Sequence, residues 1–199
     1  MVRFKHFAFL TILLLCTLLS ACAVGMHGTK IELKSYSPAF NGDLSDYNGK
    51  KIYLMNFDNQ AGNTSIWYYY SLDKKFTYGG ESSIHNYFWY SFQKAMLNMG
   101  MEVSTVDRPD PRAPAMWMTL KSITEDRFEG EVDLQKFGGT FFTKTYSILA
   151  EPLTQEGRTP ENLERRAYEM TNRLIETILT DPEFTKAFLK ASAELATQP

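Results

Sequence analysis

Cysteine is nearly missing from this chain. Two occur in 199 residues, Cys16 and Cys22. That leaves no framework of disulfides and no Cys/His spacing for zinc. An excess of basic side chains is missing too. Lys and Arg total 21 against 23 Asp and Glu, so no electrostatic footprint for nucleic acid exists. No Gly-x-Ser-x-Gly turn or phosphate loop occurs, and there is no internal repeat or low-complexity tract. Of the three histidines, His27 falls in a segment with no periodicity and reads as solvated. His85 lies on the flank of a helical stripe, without the partners that a catalytic triad or a His/carboxylate metal site requires. The residues therefore point away from catalysis, and no cofactor or metal is expected.

The longest apolar run, Phe7 to Leu19, is about thirteen residues, too short to span the ~30 Å hydrocarbon core of a bilayer. Arg3, Lys5 and His6 precede it, and Leu19-Ser20-Ala21-Cys22 closes it. A basic start, an apolar block and small residues before a cysteine form a bacterial lipoprotein processing site. Only a thiol accepts the thioether-linked diacylglycerol, and only small side chains at Ser20 and Ala21 admit the peptidase. An ordinary cleaved secretory signal or a short membrane anchor explains the cysteine less well. Residues 1–21 are thus expected to be a cleaved signal peptide, with a lipidated Cys22 as the mature N terminus. Two or more acyl chains give stable anchoring where one gives marginal binding. Because Ala23, not aspartate, follows the cysteine, the outer membrane is expected over the inner one. Loss of Arg3 and Lys5 leaves 19 basic against 23 acidic residues, a formal charge of −4. With Cys22 acylated, no thiol remains for a disulfide, a zinc site or a nucleophile.

Residues 22–29 read as the lipidated cysteine and a flexible tether, and 30–195 as a single periplasmic domain of a size that buries its own core. Ile31 to Leu33 alternates as a first strand, before turn signals at Ser37-Pro38, Asn41-Gly42-Asp43 and Asn48-Gly49. Lys51 to Phe57 reads as a central strand, Ile66 to Leu72 as an aromatic strand turning at Asp73-Lys74-Lys75 into Phe76 to Tyr78. A helix capped by Ser82 or Ser83 runs to Met99, with Gly100 in the left-handed position. Its stripe of Ile84, Phe88, Phe92, Ala95, Met96 and Met99 is core, with Trp89 at the edge. After Pro109, Pro111 and Pro114 come strands Met116 to Ile123, Phe128 to Gln135 and Thr140 to Leu149. Thr159-Pro160-Glu161 and Asp181-Pro182-Glu183 start two further helices. The expected fold is α+β: a small mixed or antiparallel sheet with two main helices on one face.

Glu129, Glu131 and Asp133 share a strand face that could ligate calcium, but alternation with apolar residues predicts the same pattern for a solvated face. Arg165, Glu169 and Arg173 form an i,i+4 surface ladder. The aromatics carry more information. Trp67 to Tyr70 must divide between two strand faces, and Tyr87, Tyr90 and Leu97 fall opposite the helix's core stripe. Large amphipathic rings directed at water suit partner or sugar recognition. Tyr87, Tyr90, Leu97, Trp67 and Tyr69 are therefore the candidate partner surface.

The helix from Tyr87 ending Met99-Gly100-Met101-Glu102-Val103, the string Thr143-Lys144-Thr145-Tyr146, and the run from Leu174 to Asp181 leading to Phe188-Leu189-Lys190 resemble the YajG-like lipoproteins over the last two-thirds of the chain. The arrangement is also similar to the auxiliary lipoproteins of lipid-transporting ABC systems. The resemblance implies an α+β fold and an envelope role, and carries over no catalytic residues. The expected function is a non-enzymatic envelope module that binds another envelope protein or assists a lipid-transport or cell-wall complex. The alternative is a carrier or receptor for a small apolar or glycan ligand. A filled core with an exposed aromatic patch favours the first, an open groove between sheet and helix the second.

Overall fold

The computed structural model describes residues 28–34, 38, 44–136 and 138–197. The expected signal peptide, Cys22 and the expected tether as far as residue 27 lie outside the described residues, as do Ser37 and Asn41-Gly42-Asp43. No described helix is long and apolar enough to cross a membrane.

The fold is α+β, with the strands divided between two sheets. In the smaller, β1 (Thr29–Leu33) lies parallel to β5 (Phe76–Gly80), and β4 (Tyr68–Tyr70) pairs antiparallel on the other side of β5. The hairpin turn at Asp73-Lys74-Lys75 is present, with Lys74 at φ 57°. The aromatic strand is shorter than expected: Ile66 and Trp67 lie before it, where the Ser65 hydroxyl accepts hydrogen bonds from the Trp67 and Tyr68 N–H groups.

The larger sheet runs β6 (Glu102–Thr105), β2 (Lys51–Leu54), β7 (Ala115–Ile123), β8 (Arg127–Lys136), β9 (Gly139–Leu149). β6, β2 and β7 are parallel, and β7, β8 and β9 antiparallel, so the sheet is mixed. β2 is interior as expected but ends at Leu54. The two-residue β3 (Asp58–Asn59) then resumes pairing along the same edge of β7. β3 and β6 were not legible in the sequence, being too short to show an alternation. On β8, Phe128, Val132 and Leu134 are buried while Glu129, Glu131 and Asp133 point the other way, half-exposed. Gly130 belongs to the buried set because a Cβ there would stand 3.1 Å from the Met118 sulfur.

Three helices complete the fold, one for each of the three helical segments read in the sequence. α1 (Ile84–Asn98) ends at Gly100, whose φ of 78° the left-handed cap requires. Ser83 stands at its N-cap but does not cap through its side chain. Instead the Ile84 N–H donates to the Ile66 carbonyl at 2.9 Å. α2 (Pro160–Leu179) and α3 (Pro182–Ala196) start as their sequences announce: Thr159 accepts from the Asn162 N–H and Asp181 from the Glu183 N–H, with proline at the first helical position. α2 packs along β1, β8 and β9, α3 on β9, and α1 against β3, β5, β6 and α2. Phe92 meets Phe57 edge-on at 5.5 Å, Phe88 meets Phe128 at 5.6 Å, and Phe184 meets Phe142 at 5.8 Å. Ile84, Phe88, Phe92, Ala95 and Met96 are all buried, as their spacing predicts.

Candidate functional site

The outer flank of α1 presents residues at helical intervals: Tyr87, Tyr90 and Ser91, Lys94, Leu97. Tyr90 and Leu97 are each 51% exposed. Trp89 anchors the helix beside them, its indole N–H donating to the Met55 carbonyl at 2.9 Å and its ring meeting Tyr90 edge-on at 5.1 Å. A depression of about 260 Å³ opens between this flank and the end of the small sheet, lined by Leu33, Glu81, Ser82, Tyr87, Tyr90, Ser91 and Lys94. The stripe is amphipathic, with two large apolar surfaces, a hydroxyl and an ammonium on one turn-to-turn line.

At the N terminus of α1, the segment whose carbonyl receives the helix's first N–H carries Ile66 at 60%, Trp67 at 56% and Tyr68 at 36% exposure. Two of the five expected surface residues belong elsewhere. Tyr69 is 1% exposed, stacked face to face on Tyr78 at 4.4 Å and edge-on to Phe128 at 6.4 Å. In β4 the odd position turns inward, so Tyr69 joins the small sheet to β8 while Tyr68 faces out. Tyr87 is 7% exposed and meets Phe88 edge-on at 5.5 Å. Its position one turn before Ser91, which is also buried and donates to the Tyr87 carbonyl, sets it at the floor of the depression. Tyr90, Leu97 and Trp67 stand in water.

The expected acidic and histidine sites take ordinary roles. Glu131 faces Lys121 at 3.3 Å, and His85 Nε2 lies 3.2 Å from the Ser83 hydroxyl. No group of three or more His, Cys, Asp or Glu side chains converges among the described residues. Arg165 and Glu169 approach to 3.7 Å as an i,i+4 pair.

Two polar clusters were not foreseen, because their members are far apart in sequence. Arg158, in the loop before α2, grips both carboxylate oxygens of Glu125 at 2.6 and 2.7 Å and also Asp73 at 2.9 Å. Glu125 sits in the β7–β8 turn and Asp73 in the β4–β5 turn, so one guanidinium ties the two sheets together. Burial would raise the Asp73 carboxyl, but hydrogen bonds from the Ser71 hydroxyl and the Lys75 N–H, with the charge of Arg158, hold it below the usual range. In the second cluster Asp181 accepts from Tyr146 at 2.6 Å and faces Lys144 at 3.0 Å. Burial, the hydrogen bond to Asp181 and the charges of Asp181 and Glu183 push the Tyr146 phenol well up, while the Tyr146 and Lys144 bonds outweigh burial and keep the Asp181 carboxyl low. Both are structural clasps.

No protein-family model matches this chain, and no curated protein sequence matches it. Among solved structures, the fold is similar to that of protein XCC0632 from Xanthomonas campestris, of the family DUF330. The TM-score is 0.55 at 7% identity, covering 82% of this chain and 99% of that one. A second match is a protein described as a neuraminyllactose-binding hemagglutinin homolog from Helicobacter pylori. It has a TM-score of 0.39 at 10% identity over 82% of this chain and all of the other. The first likeness is one of fold, and the second carries no argument about this chain.

Proposed function

We propose that the protein is a lipid-anchored envelope module that recognises another envelope protein without catalysis, through the outer flank of α1 and the Ile66–Tyr68 corner. One observation carries the reading. Among the described residues, eight large apolar side chains stand exposed, and five of them, Ile66, Trp67, Tyr68, Tyr90 and Leu97, lie on α1 or on the segment bonded to its first turn. Meanwhile the interior beneath is filled: Phe92, Ala95, Met96, Leu54, Met116 and Met118 are all fully buried. Exposed aromatics over a solid core suit a macromolecular interface, where Trp and Tyr carry most of the binding energy. At the α1 flank the carrier alternative finds only a depression of about 260 Å³, below the ~300–1,000 Å³ of typical ligand pockets. Larger hollows of about 570–580 Å³ lie beside α2 and α3, away from the groove between sheet and first helix that this alternative requires.

The anchor is Cys22 and the site the periplasmic face of the outer membrane, a placement that rests on the Leu19-Ser20-Ala21-Cys22 site and on Ala23. In its finer form the role is that of a YajG-like or transport-auxiliary lipoprotein, supported by the sequence strings that carry that resemblance.

The test is cross-linking in intact cells with Trp67→Gln, Tyr90→Gln and Leu97→Gln combined. Exposed substitutions shift stability by less than about 0.5 kcal/mol each, so the melt should barely move while cross-linked partners disappear. A folded variant that retains every partner removes this surface from consideration.

A further inference from the structure

We infer that the pole bearing the β4–β5 turn and the end of β9 lies against the lipid bilayer, with Leu72 and Leu149 seated at the interface. This deepens the anchoring reading and rests on Cys22 being lipidated. Gly28 follows Cys22 by six positions, so a fully extended chain between them spans at most about 22 Å. A domain of this size is roughly 40 Å across. Gly28 therefore cannot lie on the side of the domain remote from the membrane.

The structure places Gly28 and what surrounds it. The Thr29 N–H donates to the Lys75 carbonyl at 2.8 Å, and a Cβ on Gly28 would meet that same carbonyl at 3.0 Å. The tether thus leaves the domain at the β4–β5 turn. That turn exposes Leu72 to 65%, with Lys74 and Lys75 also exposed next to it. Through Asp73, Arg158 and Glu125 it is fixed to the β7–β8 turn. The Asp126 carbonyl there receives the Ala150 N–H at 2.9 Å, and Leu149 beside it is 57% exposed, opposite Arg127 in the β8–β9 register. Two leucines with adjacent basic side chains, on turns locked to one another at the point where a short lipid tether attaches, suit the headgroup region. There apolar tips reach the acyl boundary and Lys or Arg meets phosphate. Of the carboxylates at this pole, Asp73 and Glu125 are paired with Arg158 and Asp73 also with Lys75 at 3.9 Å, while Asp126 and Glu151 beside Leu149 share a hollow with Arg166 and Arg173.

The experiment uses the mature, lipidated chain in vesicles of phosphatidylethanolamine and phosphatidylglycerol. With Cys16 removed in the signal and Cys22 acylated, a thiol introduced by Leu72→Cys, Leu149→Cys or Thr140→Cys is unique and can carry a nitroxide. Thr140 is at the other end of β9, about 30 Å from Leu149. Labels at 72 and 149 should be severalfold less accessible to a water-soluble nickel complex than the label at 140, and severalfold more accessible to oxygen. Equal accessibility at both ends, in protein that floats with the vesicles, overturns the orientation and leaves the anchor standing. Shielding of 72 and 149 in intact cells but not in vesicles assigns the pole to a protein and overturns the lipid contact. If Cys22→Ala floats as well as the parent chain, the anchor fails and the orientation falls with it.

Discussion

The two sheets reach stability by different means. In the larger, β8 and β9 are ten and eleven residues long and pair along nearly their whole length. Alternate side chains are buried beneath α2 and α3, and the remainder form ion pairs or meet water. In the smaller, no strand exceeds five residues and β4 has three. Its interior is a pair of stacked tyrosines beside Ile31 and Leu33, and its margin leaves Ile66, Trp67, Tyr68 and Leu72 in water. A long regular sheet can satisfy its apolar side chains through period-two alternation. A three-strand sheet with strands this short has too few inward positions, so a few large rings must fill the space and others are left outside. The small sheet is accordingly where the exposed aromatic corner lies and where the first described residues, Gly28 and Thr29, enter the fold.

Removing an interior ring on the large-sheet side should have the largest effect. Phe92 is fully buried between α1 and Phe57, so Phe92→Ala should cost about 3–5 kcal/mol. Denaturant melts within ~0.5 kcal/mol of wild type would break the contrast by showing that the large core tolerates a void.

The junction comes next. Arg158→Ala strands the Glu125 carboxylate, whose side chain is 7% exposed, and should cost about 3 kcal/mol. Because the guanidinium also holds Asp73, hydrogen exchange in β4 and β5 should rise more than in β8 and β9. Arg158→Met with Glu125→Leu should recover part of the loss, since no charge is then left buried. Asp73 has a folded-state pKa lowered from 3.8. Its contribution is therefore complete above that value and lost as pH falls through the lower folded value. The Arg158 clasp on the small sheet should thus weaken only below about pH 4, and an acid melt that loses it near neutrality contradicts the geometry.

The smallest effect compares two buried phenols. Tyr47, whose pKa burial pushes up to about 12, donates to the Leu179 carbonyl at 2.7 Å and lies 2.9 Å from Thr185. The Tyr78 hydroxyl, in the small sheet, is buried with no hydrogen-bond partner among the described residues. Tyr47→Phe should cost about 1 kcal/mol, and Tyr78→Phe should be neutral or stabilise by up to about 1 kcal/mol. Raised phenol pKa values make the neutral form the stabilising one. The Tyr47 contribution is therefore complete below pH 10 and lost as pH rises toward 12. A clear loss of stability in Tyr78→Phe at neutral pH would mean that this hydroxyl is satisfied after all.

Much of the α1 to α3 framework was legible because its signals are local. Gly100 after Met99, Thr159-Pro160 and Asp181-Pro182 act through hydrogen bonds and backbone angles within one turn, and the stripe from Ile84 to Met96 needs only the helical repeat. The candidate surface was less legible. Period-two reasoning says that Tyr68 and Tyr69 face opposite ways, but not which way is inward. Helical spacing places Tyr87 and Tyr90 on the outer flank without revealing that the end of the small sheet covers Tyr87.

The sequence by itself determined the α+β class, the helix starts at Thr159-Pro160 and Asp181-Pro182, the β7–β8–β9 meander and the inner stripe of α1, since each depends on contacts between near neighbours in the chain. Only the tertiary structure decided that the strands divide into two sheets, that Tyr69 and Tyr87 are interior while Trp67, Tyr90 and Leu97 are not, and that Arg158 joins Glu125 to Asp73. Those outcomes depend on pairs separated by 33 and 85 positions and on which surfaces another element covers. Such long-range choices leave no periodicity for a sequence to display.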